Sequence, residues 1–163
     1  MPSAAEAERF RILAVPALTS LYRLARALAV DRPTADDLVQ DTYARALRYF
    51  HAYQGGDMRA WLAAIMRNLH RSEAPPRTTS LELAAEHPDP APDPEQATIA
   101  GSEAASVRHH VAALPEALRE TLTLREFAGL SYAEIAKLQD VPIGTVMSRL
   151  ARARASLRES LVR

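Results

Sequence analysis

The sequence predicts an all-α fold in which two small helical domains are joined by a proline-rich acidic linker. Apolar residues recur at spacings of three and four along most of the chain, which is the helical period. Aromatic residues make up only 6% of the 163 residues, and abundant alanine and leucine favour helices over strands. Six of the eleven prolines fall between residues 75 and 94. We therefore assign residues 1–72 to a first domain, 73–102 to a flexible linker and 103–163 to a second domain.

The first domain is predicted to contain three helices, of which two precede residue 51. Apolar positions across 6–29 form one stripe, and Pro16 is expected to bend this helix. Pro33 lies in the segment that ends it, and Thr34 is expected to cap a second helix over 34–50. That helix has an apolar inward stripe and a polar outward face. The outward residues include Asp37, Gln40, Asp41 and Arg45. An acidic first turn also stabilises the helix dipole, so periodicity alone favours a structural role for them.

A short loop over 51–57 separates the second helix from a third helix over 58–71. Gly55 and Gly56 end the one helix, and Asp57 can cap the next. The loop and the third helix combine groups that stack with groups that bind phosphate, which suits a single strand of nucleic acid. These groups are His51, Tyr53, Arg59, Arg67, Asn68 and Arg71. On the residues alone, a purely structural role for them is about equally well supported.

The second domain is predicted to end in a helix-turn-helix over 131–158. Ser131 and Glu134 form a capping box, and Pro142 stops the first helix of the pair. The second helix places Val146 and Leu150 on its inward stripe. Its outward side carries hydroxyls and arginines, as a helix that reads the major groove requires. These residues are Thr145, Ser148, Arg149 and Arg152. The alternative is an amphipathic hairpin with a solvated basic face.

Composition excludes several classes of function. The net charge is zero, but residues 1–71 carry +3, residues 72–107 carry −6 and residues 108–163 carry +3. The absence of cysteine excludes disulfides and thiolate metal sites. No nucleotide-binding loop, nucleophile motif or metal-ligand spacing is present, which predicts a protein with no enzymatic activity, metal or cofactor. The sequence shows no signal peptide and no apolar run of about 20 residues, which predicts a cytoplasmic protein without membrane insertion.

Two separate motifs resemble one family of bacterial transcription proteins. The segment DDLVQDTYARAL at 36–47, followed by MRAWLAAIMRN at 58–68, resembles region 2 of extracytoplasmic-function (ECF) sigma factors. The segment LPEALRETLTLREFAGLSYAEIAKLQDVPIGTVMSRLARARASLR at 114–158 resembles their region 4. The resemblance implies an RNA polymerase sigma factor that directs promoter-specific transcription initiation.

The resemblance also implies a role for each set of polar residues. The helix over 34–50 would bind the clamp helices of the largest subunit of core RNA polymerase, through Asp37, Gln40, Asp41 and Arg45. The loop over 51–57 and the helix after it would bind the −10 element as an unpaired strand, through His51, Tyr53, Arg59, Arg67, Asn68 and Arg71. The last helix would read the −35 element of duplex promoter DNA, through Thr145, Ser148, Arg149 and Arg152.

The family resemblance implies one further partner, an anti-sigma factor that holds the protein inactive. One alternative is a sigma-like decoy that sequesters an anti-sigma factor and never binds promoters. Another is a stand-alone helix-turn-helix repressor, which would leave the polar residues of 34–71 without a role. The arginines of the last helix argue against the decoy, because a decoy does not need side chains that face bases.

Overall fold

The computed structural model describes residues 1–29, 31–73 and 99–162, and the described residues form helices without any strand. This confirms the all-α prediction. Most of the predicted linker, residues 74–98, lies outside the described residues. The domain boundaries at 72 and 102 therefore stay predictions. The described helices form two units, which correspond to the two predicted domains.

The first unit begins with two helices in place of the single predicted helix over 6–29. A 3-10 turn around Pro16 separates them, because proline removes a backbone donor inside the helix. The elements of this unit are α1 (Ala4–Ala14), the 3-10 turn Val15–Ala17, α2 (Leu18–Leu28), α3 (Arg32–Arg48), the 3-10 turn Phe50–Ala52 and α4 (Met58–Glu73).

The start of α3 differs from the sequence prediction. Asp31, not Thr34, is the N-cap, and its Oδ1 accepts a 2.7 Å hydrogen bond from the Thr34 backbone N–H. Pro33 lies inside the first turn of the helix. The prediction treated Pro33 as a helix breaker, whereas a proline in the first turn loses no intrahelical hydrogen bond. The helix therefore begins two residues earlier than expected.

The core of the first unit is built from the inward stripes of α2, α3 and α4. Leu21, Leu24, Leu62 and Met66 are fully buried in it. Tyr43 ties α3 to the end of α1, because its hydroxyl donates a 2.8 Å hydrogen bond to the carbonyl of Ala14. Burial raises the pKa of Tyr43 to about 12, so this hydroxyl stays protonated and available as a donor.

The second unit consists of α5 (Ile99–Ala112), α6 (Glu116–Glu126), α7 (Tyr132–Gln139) and α8 (Ile143–Val162). Helix α5 begins four residues before the predicted position 103. The predicted capping box of α7 is confirmed: Ser131 Oγ accepts from the Glu134 N–H, and the Glu134 carboxylate accepts from the Ser131 N–H. The α7–α8 turn passes through Asp140 in the left-handed region at φ 55°. Val146 and Leu150 of α8 face inward as predicted, and Ala153 is buried with them.

The two units pack directly against each other. Helix α2 contacts α5 and α6, and Arg67 of α4 forms an ion pair with Glu120 of α6. The ion-pair partners are 53 residues apart in the sequence. This packing places the predicted −10 face of α4 beside the second unit.

Candidate nucleic-acid interface

The outward face of α3 is fully formed and accessible. Its inward stripe buries Ala35, Leu38 and Ala46, and this orientation turns the opposite side of the helix to solvent. The four residues predicted to bind polymerase are all exposed there: Asp37, Gln40, Asp41 and Arg45. Because Asp31 caps the helix, Asp41 lies too far along α3 to act on its N-terminal dipole. The dipole explanation for Asp41 therefore loses its support.

The loop between α3 and α4 is held by aromatic contacts. Tyr53 stacks on Phe50 with ring centroids 5.8 Å apart, and its hydroxyl donates to the carbonyl of Gly56 at 2.5 Å. Trp61 of α4 also contacts Tyr53, with ring centroids 5.2 Å apart. Gly55 and Gly56 both adopt positive φ, which glycine tolerates without strain. Tyr53 is thus half-buried and supports the loop, whereas His51 is exposed.

An open cleft lies beside this loop. It has a volume of about 570 Å³, and its walls are Tyr53 and Gly55 of the loop with side chains of α1. The α1 residues include Arg9, whose guanidinium lies 5.5 Å from the centre of the Phe50 ring. The cleft thus combines apolar walls with one cation, Arg9, and one carboxylate, Glu8.

The predicted −10 residues of α4 do not share one environment. Asn68 is exposed, and Arg59 is 47% exposed with its Nη2 3.7 Å from Asp57 Oδ2. Arg67 is only 11% exposed, because its Nε donates to Glu120 Oε1 at 2.5 Å and its Nη1 donates to the Leu138 carbonyl at 3.0 Å. Arg71 is half-exposed, with Nη1 4.0 Å from Glu120 Oε2. The second unit therefore occupies part of this face.

On the outward side of α8, Ser148 and Arg152 are exposed, whereas Thr145 and Arg149 are half-buried. The preceding helix α7 orients the Arg149 side chain, because Nη1 of Arg149 donates a 3.3 Å hydrogen bond to Oε1 of Gln139. Arg154 lies elsewhere on α8 and pairs with Glu126 of α6 at 2.8 Å. The structure brings the four predicted −35 residues together on the first three turns of one helix.

Sequence reasoning missed two exposed apolar side chains in the first two turns of α8. Ile143 is 48% exposed and Met147 is 54% exposed. Apolar residues at helical spacing normally indicate a buried stripe, so periodicity gave no reason to select them. Their position in the first two turns of the helix, where a recognition helix contacts base edges, is the signal that could have identified them.

Within the described residues, no three ligand-type side chains lie close enough together to hold a metal ion. The same part of the chain contains no helix that combines the length and apolarity needed to cross a membrane.

Comparisons with known proteins agree with the two-unit architecture. Residues 16–73 match the family model of sigma-70 region 2, and residues 105–157 match the model of sigma-70 region 4. In structure, the chain resembles the sigma factor RpoE from Bartonella quintana, solved in complex with the anti-sigma factor NepR. The TM-score is 0.73 at 27% identity, and the match covers 94% of this chain and 97% of that one. CnrH, solved in complex with the cytosolic domain of CnrY, gives a TM-score of 0.66 at 25% identity, covering 96% and 87%.

Proteins related to this chain in sequence are ECF RNA polymerase sigma factors. The ECF RNA polymerase sigma factor SigE of Mycolicibacterium smegmatis is 35% identical over 88% of this chain, which spans 58% of that relative's length. The ECF RNA polymerase sigma factor EcfG of Rhodopseudomonas palustris is 35% identical over 86% of this chain and 78% of its own length. With both regions matched in order and the fold shared, the chain belongs to the ECF family of RNA polymerase sigma factors.

Proposed function

We propose that this chain is a promoter-specificity subunit of RNA polymerase that has no catalytic activity and works only with the core enzyme. The observation that carries the proposal is the pair of exposed polar faces, on α3 and on α8, at the positions that resemble the family's binding helices. A sigma factor needs both faces, one for polymerase and one for duplex DNA. We place its action in the cytoplasm, where core polymerase and the chromosome meet.

Polymerase binding is assigned to the outward face of α3. Asp37 and Asp41 provide negative charge, and Gln40 and Arg45 provide hydrogen-bond donors, on a helix fixed by its buried inward stripe. A rigid helix that presents its polar side chains to solvent can dock on a partner helix without reorganising. The partner is the clamp-helix surface of the largest polymerase subunit.

Strand opening is assigned to the loop over 51–57 with α4. The exposed His51 and Asn68 provide stacking and hydrogen-bonding groups, and the arginines of α4 provide phosphate neutralisation. The cleft beside Tyr53 and Gly55 offers apolar walls to a base that has left the stack. Extrusion of a base costs a few kcal/mol, which such a pocket must offset.

Duplex reading at the −35 element is assigned to the first three turns of α8. Ser148, Arg149 and Arg152 are suited to base edges and phosphates in the major groove. We add the exposed Ile143 and Met147 of the first two turns, because an exposed apolar side chain near base-reading residues suits the methyl group of thymine. An anti-sigma factor is the proposed regulator, supported by the complex in which RpoE was solved.

The test is transcription in vitro from a library of genomic promoters, with core polymerase in the presence and absence of this protein. We expect promoter-specific transcripts only when both components are present. Tight promoter binding by the protein alone, without any effect on transcript choice, would instead identify a repressor. If no promoter responds although the protein binds an anti-sigma factor, the decoy function replaces this proposal.

A further inference from the structure

We propose that the second helical unit inhibits promoter opening by covering the −10 face of α4, with Glu120 taking the place of a DNA phosphate. This inference rests on the proposed function and adds a regulation of that same site. The inhibitory contact lies within the chain itself and needs no partner protein.

Glu120 is the centre of the contact. Its side chain is only 12% exposed, and one oxygen accepts from Arg67 Nε at 2.5 Å while the other lies 4.0 Å from Arg71 Nη1. The carboxylate thus hydrogen-bonds one guanidinium and forms a longer ion pair with a second, and a phosphate would offer these groups the same charge. Both arginines belong to the set that we assign to the −10 strand, so they cannot bind Glu120 and DNA at the same time.

The rest of the second unit completes this arrangement. Gln139 Nε2 donates to Glu120 Oε1 at 3.1 Å, which fixes the carboxylate, and the Leu138 carbonyl accepts a second hydrogen bond from Arg67 at 3.0 Å. Gln139 Oε1 also lies 3.3 Å from Nη1 of Arg149, a predicted −35 residue. Among the described residues no buried side-chain nitrogen or oxygen lacks a partner, so this polar network is fully satisfied.

A separate contact places a third arginine in the same interface. The guanidinium of Arg59 lies against Gly129, in the turn between α6 and α7, so closely that a Cβ there would be 3.3 Å from Arg59 Nη1. Gly129 has a φ of 71°, which ends α6 without strain. The second unit thus reaches both ends of the −10 face, at Arg59 and at Arg71.

The consequence for DNA binding follows from the populations of the two states. Only molecules in which the units have separated can offer Arg67 to a strand, so the apparent affinity falls in proportion to the separated fraction. A partner that binds better to the separated form, such as core polymerase at α3, relieves the inhibition by shifting this equilibrium.

The test compares Glu120→Gln with Glu126→Gln. Both variants remove one negative charge from α6, but Glu126 pairs with Arg154 of its own unit and not with α4. The chain has no native cysteine, so Thr34→Cys and Ser160→Cys allow a donor and an acceptor dye to be attached, one on each unit. Energy transfer reports separation of the units, and fluorescence anisotropy reports binding of short single-stranded DNA of random sequence. Circular dichroism confirms the helical content of each variant.

We expect Glu120→Gln to lower energy transfer and to tighten strand binding about tenfold, equivalent to about 1.4 kcal/mol of interdomain free energy. Glu126→Gln should leave transfer unchanged and raise affinity far less. Equal transfer or equal strand affinity in the two variants would overturn the proposal. If glutamine lowers the helical content, Glu120→Asp keeps the charge but withdraws it by one methylene, and the same two readouts apply. The two proposals fail separately. If the chain is not a sigma factor, promoter-specific transcripts are missing with core polymerase, whereas the energy-transfer results are unaffected.

Discussion

Among the predicted −35 residues, Arg149 has its guanidinium held in place by a neighbouring helix. The hydrogen bond to Gln139 limits its conformations before DNA arrives, which reduces the entropy lost on binding. We expect Arg149→Ala to weaken use of a −35-dependent promoter by about 1–3 kcal/mol, the range for a bidentate contact to guanine. The measurement is the concentration of holoenzyme needed for half-maximal transcription.

The matched control for Arg149→Ala is Arg154→Ala on the same helix. It removes the same charge, but Arg154 is engaged by Glu126 at 2.8 Å on a different side of α8. We expect the control to leave −35 preference unchanged. An unchanged preference in Arg149→Ala as well would show that a different face of α8 reads the DNA.

Met147 gives a prediction that depends on the DNA as well as on the protein. If its exposed side chain contacts a thymine methyl, Met147→Ala should weaken binding to a thymine-containing −35 duplex but not to the same duplex with deoxyuridine. The measurement is the binding affinity of both proteins for both duplexes. The difference between the two losses of binding free energy isolates the contact between Met147 and the methyl group. Equal losses on both duplexes would mean that Met147 makes no methyl contact.

At the scale of elements, α3 shows how burial on one side makes the other side available for binding. Asp41 lies on its exposed face and does not cap the helix, since Asp31 does. We expect Asp41→Ala to weaken core-polymerase binding while unfolding stability changes by less than about 0.5 kcal/mol. Glu103→Ala removes the same charge from exposed α5 and should change neither quantity. The measurements are polymerase binding and thermal unfolding; a large stability loss would restore a structural role for Asp41.

The sequence predicts where a helix starts when both residues of a capping box lie within one turn. It does not predict which of two neighbouring candidate residues becomes the N-cap. Ser131 and Glu134 satisfy each other within one turn, so their spacing alone predicts the start of α7. At α3 two residues could serve as the cap, and the choice of Asp31 depends on whether Pro33 is accepted into the first turn. The polar faces of α3 and α8 were likewise predicted, because an inward stripe determines the outward residues.

At the scale of the whole molecule, the contact between the two units could not be predicted. Arg67 and Glu120 are 53 residues apart, and neither belongs to a local pattern that marks a pair. Glu120 reads as an ordinary exposed glutamate in a helix, yet it is buried when α6 packs near α4. Long-range docking depends on the shapes of two folded surfaces, which periodicity does not encode.

Arg67→Ala tests how strongly this docking is coupled to stability. The variant leaves the Glu120 carboxylate either buried without its main partner, at a cost of about 3–5 kcal/mol, or hydrated after the units separate. Separation limits the loss to the free energy of the interface, so we expect a larger hydrodynamic radius and a stability loss below about 3 kcal/mol. Size-exclusion chromatography measures the radius, and urea unfolding measures the stability.

The control is Arg154→Ala, which breaks a more exposed ion pair. It should cost less than about 1 kcal/mol of stability and leave the hydrodynamic radius unchanged. If Arg67→Ala instead keeps its hydrodynamic radius and loses the full ~3–5 kcal/mol of stability expected for a buried unpaired charge, the two units unfold as one cooperative core.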